Sequence, residues 1–105
     1  MVIFHIKHYL TIAGVRYFEE WFIKLSTILN DFDGFISAKY SLDEDCYGTV
    51  NLFLEFENMA LLESWRSSLA HKEIKSLLTN YLEKSHSSYV YKTNNYINQF
   101  KSTAR

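Results

Sequence analysis

Apolar side chains recur at every second position near the start of the chain, interrupted by one histidine: Val2, Phe4, Ile6, His8 and Leu10. A period of two predicts a β-strand with one face on a core, and it places His8 on that face. Beyond Gly14 the spacing changes to 3, 4, 3 and 4 residues, as in an amphipathic helix. Its stripe is Val15, Phe18, Phe22, Leu25 and Leu29, and turn-forming residues end it at positions 30–34.

The rest of the chain repeats this succession of periods. Positions 36–42 and 49–56 alternate as two strands joined by a hairpin, and Asn58 is a suitable N-cap for a second helix. The apolar positions of that helix are five residues apart between Leu69 and Ile74, which is too far for one continuous helix face. This gap predicts a break near Ala70 and His71. A last alternation over 88–93 predicts the fourth strand.

The predicted order is therefore βαββαβ, an α+β fold of ferredoxin-like topology with an antiparallel four-stranded sheet. Both helices would cover one face of the sheet. The other face carries side chains that are too apolar for open water: Ile3, His5, Tyr9, Phe53, Tyr89 and Tyr91. A second copy packed sheet to sheet would bury them, so we expect a homodimer in the form of a dimeric α+β barrel. The domain spans residues 1–93, and 94–105 form a polar tail in which Tyr96, Ile97 and Phe100 are possible docking points.

Charge and cysteine content exclude several classes of protein. The formal net charge is −1, which gives no basic field for nucleic acid, so we expect no nucleic-acid partner. No apolar run approaches the ~20 residues of a membrane span, and the first residues lack the features of a signal peptide. Cys46 is the lone cysteine and cannot form an internal disulfide. We therefore expect a cytoplasmic protein that does not contact a membrane.

Two short segments carry a resemblance to a known family. The element order, the run 32–35 (FDGF) and the run 65–71 (WRSSLAH) resemble the antibiotic biosynthesis monooxygenase (ABM) superfamily. The resemblance implies a ferredoxin-like domain that forms dimeric α+β barrels. It also implies a small oxygenase without metal or flavin that acts on a quinol or another aromatic molecule.

Another branch of that superfamily degrades haem. Its pattern has an asparagine on the first strand, a tryptophan on the second helix and a histidine ligand one helical stretch later. When this pattern is aligned with the chain, His8 occupies the position of the asparagine and Trp65 matches the tryptophan. Lys75 occupies the position where the ligand histidine is expected. Two of the three positions depart from it, so haem binding or degradation is kept only as an alternative.

Three residues are the main candidates for chemistry. His8 could accept a proton from a phenolic substrate, because the pKa of imidazole lies near neutral pH, or it could be a core histidine bonded to a carbonyl group. Trp65 could be the wall on which a flat ligand stacks, or simply a large core residue. His71 could reach the cavity, or cap backbone groups freed at the helix break.

The remaining site predictions concern the walls of the pocket and what it would hold. Phe22 and Tyr40 are expected to contact the substrate, although tyrosines in sheets mostly pack across strands. No histidines have a metal-ligand spacing, so neither a metal nor another cofactor is expected. The sequence thus predicts a cofactor-independent monooxygenase with His8 as candidate base, or alternatively a non-catalytic dimeric protein that binds a small aromatic ligand.

Overall fold

A computed structural model describes residues 1–93 of the chain. Its strands are β1 (Val2–Leu10), β2 (Phe35–Leu42), β3 (Thr49–Phe56) and β4 (Leu82–Lys92). Its helices are α1 (Ile12–Leu29), α2 (Met59–Arg66) and α3 (Leu69–Ser76), followed by a short 3₁₀ turn (Thr79–Tyr81). The predicted tail, with its possible docking points Tyr96, Ile97 and Phe100, lies outside the described residues.

The four strands form one antiparallel sheet in the order β2-β3-β1-β4. Strands β1 and β3 occupy the centre, and the buried side chains of the helices pack on one face of the sheet. The βαββαβ order and the ferredoxin-like α+β class are those that the periodicity predicted, and both are confirmed. No helix among residues 1–93 is long and apolar enough to cross a membrane.

Helix α1 begins directly after β1 because Thr11 supplies a cap and Gly14 permits close packing. The Thr11 hydroxyl accepts a hydrogen bond from the Gly14 amide at 3.0 Å, which satisfies a free donor of the first turn. A Cβ atom at Gly14 would lie 2.9 Å from both the Cβ and the carbonyl oxygen of Tyr81. The small residue therefore lets α1 approach the 3₁₀ turn that leads into β4.

The buried side of α1 matches the predicted stripe at Phe18, Leu25 and Leu29 and differs from it at two positions. Its buried residues are Gly14, Phe18, Trp21, Leu25 and Leu29, whereas Phe22 is only partly buried. The central place that the spacing assigned to Phe22 is therefore taken by Trp21.

The second helix is broken three residues earlier than predicted. Helix α2 ends at Arg66 and α3 begins at Leu69, so the break falls at Ser67–Ser68 and not near Ala70 and His71. The Ser68 hydroxyl caps α3 by accepting from the His71 amide at 3.1 Å. As a result Leu69, expected on the buried stripe, is 69% exposed.

The sheet face away from the helices carries a half-exposed aromatic cluster. His5 stacks on Phe53 with ring centroids 4.5 Å apart and lies 6.3 Å from Tyr91, which in turn lies 6.5 Å from Tyr89. Tyr89 is 45% and Tyr91 50% exposed. Large rings left open to solvent on one continuous face are typical of an interaction surface.

Candidate active site between the helices and the sheet

A cavity of about 100 Å³ lies between the three helices and the inner face of the sheet. Its apolar walls are Phe4, Ile6, Trp21, Leu25, Leu52, Leu54, Trp65 and Ile74. Its polar and charged lining consists of His8, Arg66, His71, Lys75, His86 and Ser88. An apolar cavity of ~150 Å³ is known to admit one benzene molecule, so this space is of the order of a single aromatic ring.

His8 lies on the inner face of β1, as the alternation predicted, and is 7% exposed. Its ring packs against both Phe18 and Trp21, with centroids 5.8 and 5.7 Å away. Neither ring nitrogen has a hydrogen-bond partner among the described residues. The alternative of a core histidine satisfied by a carbonyl group is therefore not what the structure shows.

The environment of His8 strongly disfavours its charged form. Burial lowers the pKa of His8 from 6.5 to about 3, and the positive charges of His86 and Lys75 act in the same direction. At neutral pH the ring is therefore an uncharged imidazole, with one nitrogen able to donate and the other able to accept a hydrogen bond.

His86 lies beside His8 because the register that runs from Val2–Lys92 to Lys7–Ser87 continues to it, and a β-bulge in β4 adds Ser85 next to it. Lys7 pairs with Ser87 and Tyr9 with Lys84, so two residues of β4, Ser85 and His86, lie opposite the single residue His8. Bulges redirect side chains and are common next to active sites. Here the two imidazole centroids lie 5.9 Å apart, and His86 is only partly buried. Burial, together with the charge of Lys75, lowers the pKa of His86 as well.

Trp65 forms a wall of the cavity from the last turn of α2. It is fully buried and makes edge-on contact with Phe32 at 4.9 Å between centroids. Its indole N–H has no acceptor among the described residues, whereas the indole N–H of Trp21 donates to the Ile74 carbonyl at 2.8 Å. Buried indole N–H groups are normally paired, so Trp65 retains an unused donor.

His71 both caps the broken helix and lines the cavity, so the structure combines the two roles that the sequence left open. Its Nδ1 lies 2.9 Å from the Arg66 carbonyl oxygen, and its ring lies 5.1 Å from that of Trp65. Because a carbonyl oxygen only accepts, Nδ1 carries the hydrogen and Nε2 of the neutral ring is an acceptor. Burial lowers the pKa of His71, although the bond to Arg66 opposes this shift.

The structure brings together three of the five predicted site residues. His8, Trp65 and His71 line the same cavity. Phe22 and Tyr40 instead pack against each other, with centroids 4.8 Å apart, and Tyr40 also contacts Phe18 at 5.0 Å. Neither Phe22 nor Tyr40 lines the cavity, so substrate contact by these two residues remains a prediction.

Sequence reasoning missed four lining residues, namely Trp21, Arg66, Lys75 and His86. The fourth strand was predicted only from position 88, so His86, two residues earlier in the same alternation, was not placed on the inner face. Trp21 had a detectable signal, since it follows Phe18 by three residues on the same helix face. Within residues 1–93, no three His, Cys, Asp or Glu side chains cluster closely enough to hold a metal ion.

Comparison with known proteins identifies the fold but finds no sequence relative. No protein-family model and no curated protein sequence matches the chain. Solved structures do match it. A conserved protein of Methanosarcina mazei Go1 is 19% identical with a TM-score of 0.77, and the match covers 90% of this chain and 94% of that one.

Two further neighbours carry functional names. A Caulobacter crescentus CB15 protein assigned as an antibiotic biosynthesis monooxygenase has a TM-score of 0.81 at 10% identity, over 90% of both chains. A single-substitution variant of SnoaB, a cofactor-independent oxygenase of Streptomyces nogalater, has a TM-score of 0.76 at 11% identity, over 90% of this chain and 93% of that one. At these identities the likeness concerns the backbone. The chain thus has the fold of the structures named antibiotic biosynthesis monooxygenases.

Proposed function

We propose that the protein is a small oxygenase that acts on a phenol- or quinol-type aromatic molecule in the cavity between its helices and its sheet. One observation carries this proposal. Three buried ring nitrogens, both of His8 and that of Trp65, have no partner among the described residues, and both side chains line the same cavity. Because an unpaired buried polar group costs ~1–3 kcal/mol, a cavity with three of them is suited to a ligand that carries oxygen atoms.

The proposal of a reaction without metal or organic cofactor follows the name of one structural neighbour, a cofactor-independent oxygenase. A quinol contains enough electrons to reduce O₂ by itself. Its hydroxyl proton moves to His8, and the electron-rich ring carbon then forms a bond to oxygen, giving a ring hydroperoxide. His8, which has returned its first proton to the outer peroxide oxygen, then removes the hydrogen on that carbon as a proton. The C–H electron pair forms a C=O bond, the O–O bond breaks and the leaving hydroxide takes the proton from His8, so that quinol and O₂ become hydroxyquinone and water. The apolar walls keep water away from the intermediates.

His8 is the candidate proton acceptor, although its low pKa makes it a weak base in the empty cavity. The ring is uncharged at neutral pH and therefore available to accept a proton. A substrate anion formed beside the imidazolium would pair with its charge and offset the cost of burial. His86, 5.9 Å away and partly exposed, is placed to exchange that proton with solvent.

Replacing His8 by glutamine is expected to lower kcat for oxygen consumption by about 10²–10⁴-fold, the usual contribution of a general base. The measurement is oxygen uptake by the purified protein against a panel of quinols. The control is His5→Gln, which changes an imidazole on the opposite face of the sheet and should keep the parent rate. If His8→Gln consumes oxygen as fast as the parent, His8 is not the base.

The two alternative functions give different results in the same assay. A non-catalytic binding protein would bind the panel without consuming oxygen, and the low pKa of His8 is the observation that favours it. A haem protein would show a shifted Soret band with a defined stoichiometry when haemin is added. A cavity of about 100 Å³ accommodates one ring more readily than a tetrapyrrole, which favours the oxygenase over haem binding.

We further propose that a second copy of the chain covers the outer aromatic cluster, giving the dimeric barrel. In that arrangement His5, Phe53, Tyr89 and Tyr91 would be buried between two sheets.

Tyr91→Glu would place a charge in this interface and is expected to convert a dimer to a monomer, as measured by sedimentation equilibrium. Ile23→Glu on α1 is the control, because Ile23 is 59% exposed but lies on a helix. A parent protein that sediments as a monomer would contradict the dimer.

A further inference from the structure

The basic groups that line the cavity are not balanced by any acidic group in its described lining. Arg66 and Lys75 are cationic, and His8, His71 and His86 are imidazoles, whereas no aspartate or glutamate among the described residues lines this space. An adjoining cavity shares four lining residues with it: His8, Trp21, Lys75 and His86. Its lining also contains no acid. Since the whole chain has a net charge of −1, this excess of basic groups is local.

The two cationic side chains that line the cavity differ in whether their charge is paired with a carboxylate. Arg66 donates to the Glu63 carboxylate at 2.9 Å and lies over the Phe4 ring, with its guanidinium 4.8 Å from the centroid. Lys75 is exposed to solvent and forms no ion pair with any described residue, so it is free to attract an anionic ligand. It stands where the two cavities meet, and its charge is felt by His8, His71 and His86, because it lowers the pKa of each.

We propose that the ligand of this cavity is an aromatic carboxylate, with its ring in the apolar depth and its carboxylate beside Lys75 and His86. The proposal rests on the proposed function for the site and adds the substrate class. The ring would lie among Trp21, Trp65 and the aliphatic walls. The carboxylate would compensate Lys75 and accept a hydrogen bond from His86. An uncharged ligand of the same shape would gain no attraction from the Lys75 charge.

The test compares 2,5-dihydroxybenzoate with 2,5-dihydroxybenzamide, two quinols of nearly equal size that differ in charge. Binding is measured by calorimetry without oxygen, so that no turnover intervenes. At low ionic strength the carboxylate is expected to bind about ten-fold more tightly, and added salt should reduce the difference. Lys75→Gln should remove most of this preference. Lys72→Gln, on the same helix and outside both cavity linings, should retain it.

Equal or tighter binding of the amide would overturn the proposal, as would binding of neither compound or a preference that survives Lys75→Gln. A preference for the carboxylate in a protein that consumes no oxygen would support the carboxylate site and contradict the oxygenase. Oxygen uptake with a preference for uncharged quinols would support the oxygenase and contradict the carboxylate site. The two proposals therefore fail separately.

Discussion

Acidification from pH 6.5 to pH 3 is expected to reduce the free energy of unfolding by about 4–5 kcal/mol through His8 alone. Burial lowers the pKa of His8 from 6.5 to about 3, and each pKa unit corresponds to ~1.4 kcal/mol. Between these two pH values the unfolded chain binds a proton that the folded protein does not, so stability falls as pH falls. Below pH 3 both states are protonated and this contribution no longer changes.

The measurement is urea unfolding across that pH range, on the parent and on His8→Gln and His8→Leu. Both variants lack the titrating ring and should lose several kcal/mol less on acidification. His71 and His86, whose pKa values are also lowered, contribute in the same direction and remain in all three proteins. A variant that keeps the full acid dependence would show that His8 does not carry it.

The two His8 variants also separate stability from activity at neutral pH. Leucine removes two unpaired ring nitrogens from a buried position, and each such group costs ~1–3 kcal/mol. His8→Leu should therefore be at least as stable as the parent at pH 7. Retention of an unpaired polar group at the expense of stability is what a ligand site requires.

Sequence periodicity was sufficient to predict the fold, because each helix and strand depends on a pattern of nearby residues. Alternation along β1 places His8 on the helix-facing side whatever the rest of the chain does, since successive residues of a strand face opposite sides. The change from a period of two to a period of 3.6 at Gly14 likewise indicates the start of α1, because this period is a local property of a helix. The order of elements then leaves few topologies.

The site was predicted less well because it depends on irregularities. Strand β4 begins at Leu82, but its residues 83–88 are polar at every position and include a bulge, so no apolar alternation marks this half of the strand. The break at Ser67–Ser68 depends on a side-chain cap, because a serine hydroxyl can bond backbone groups at a helix start as an alternative to helix continuation. His86 lies in this polar half of β4 and Lys75 on the helix that follows the break, and both were missed.

Truncation of Trp65 to alanine is expected to destabilise the protein by about 3–5 kcal/mol, the usual cost of deleting a buried indole from a core. Trp65 is fully buried and packs edge-on against Phe32 and close to His71. Its loss would open the cavity into the space that it occupies, and a ring-sized ligand would lose the wall on which it stacks. Chemical denaturation measures the loss of stability. Calorimetric titration with a quinol that binds the parent protein measures the loss of ligand affinity.

The matched pair Trp65→Phe and Trp21→Phe tests whether the Trp65 N–H is unused in the free protein. Both changes remove an indole N–H and a similar volume from a buried position. Only Trp21→Phe leaves an acceptor without its donor, the Ile74 carbonyl, and it should therefore cost ~1–3 kcal/mol more than Trp65→Phe. Ligand affinity should follow the opposite order, falling further in Trp65→Phe. Equal stability losses would mean that Trp65 is bonded within the fold, and the proposed function would then lose one of the three unpaired groups that support it.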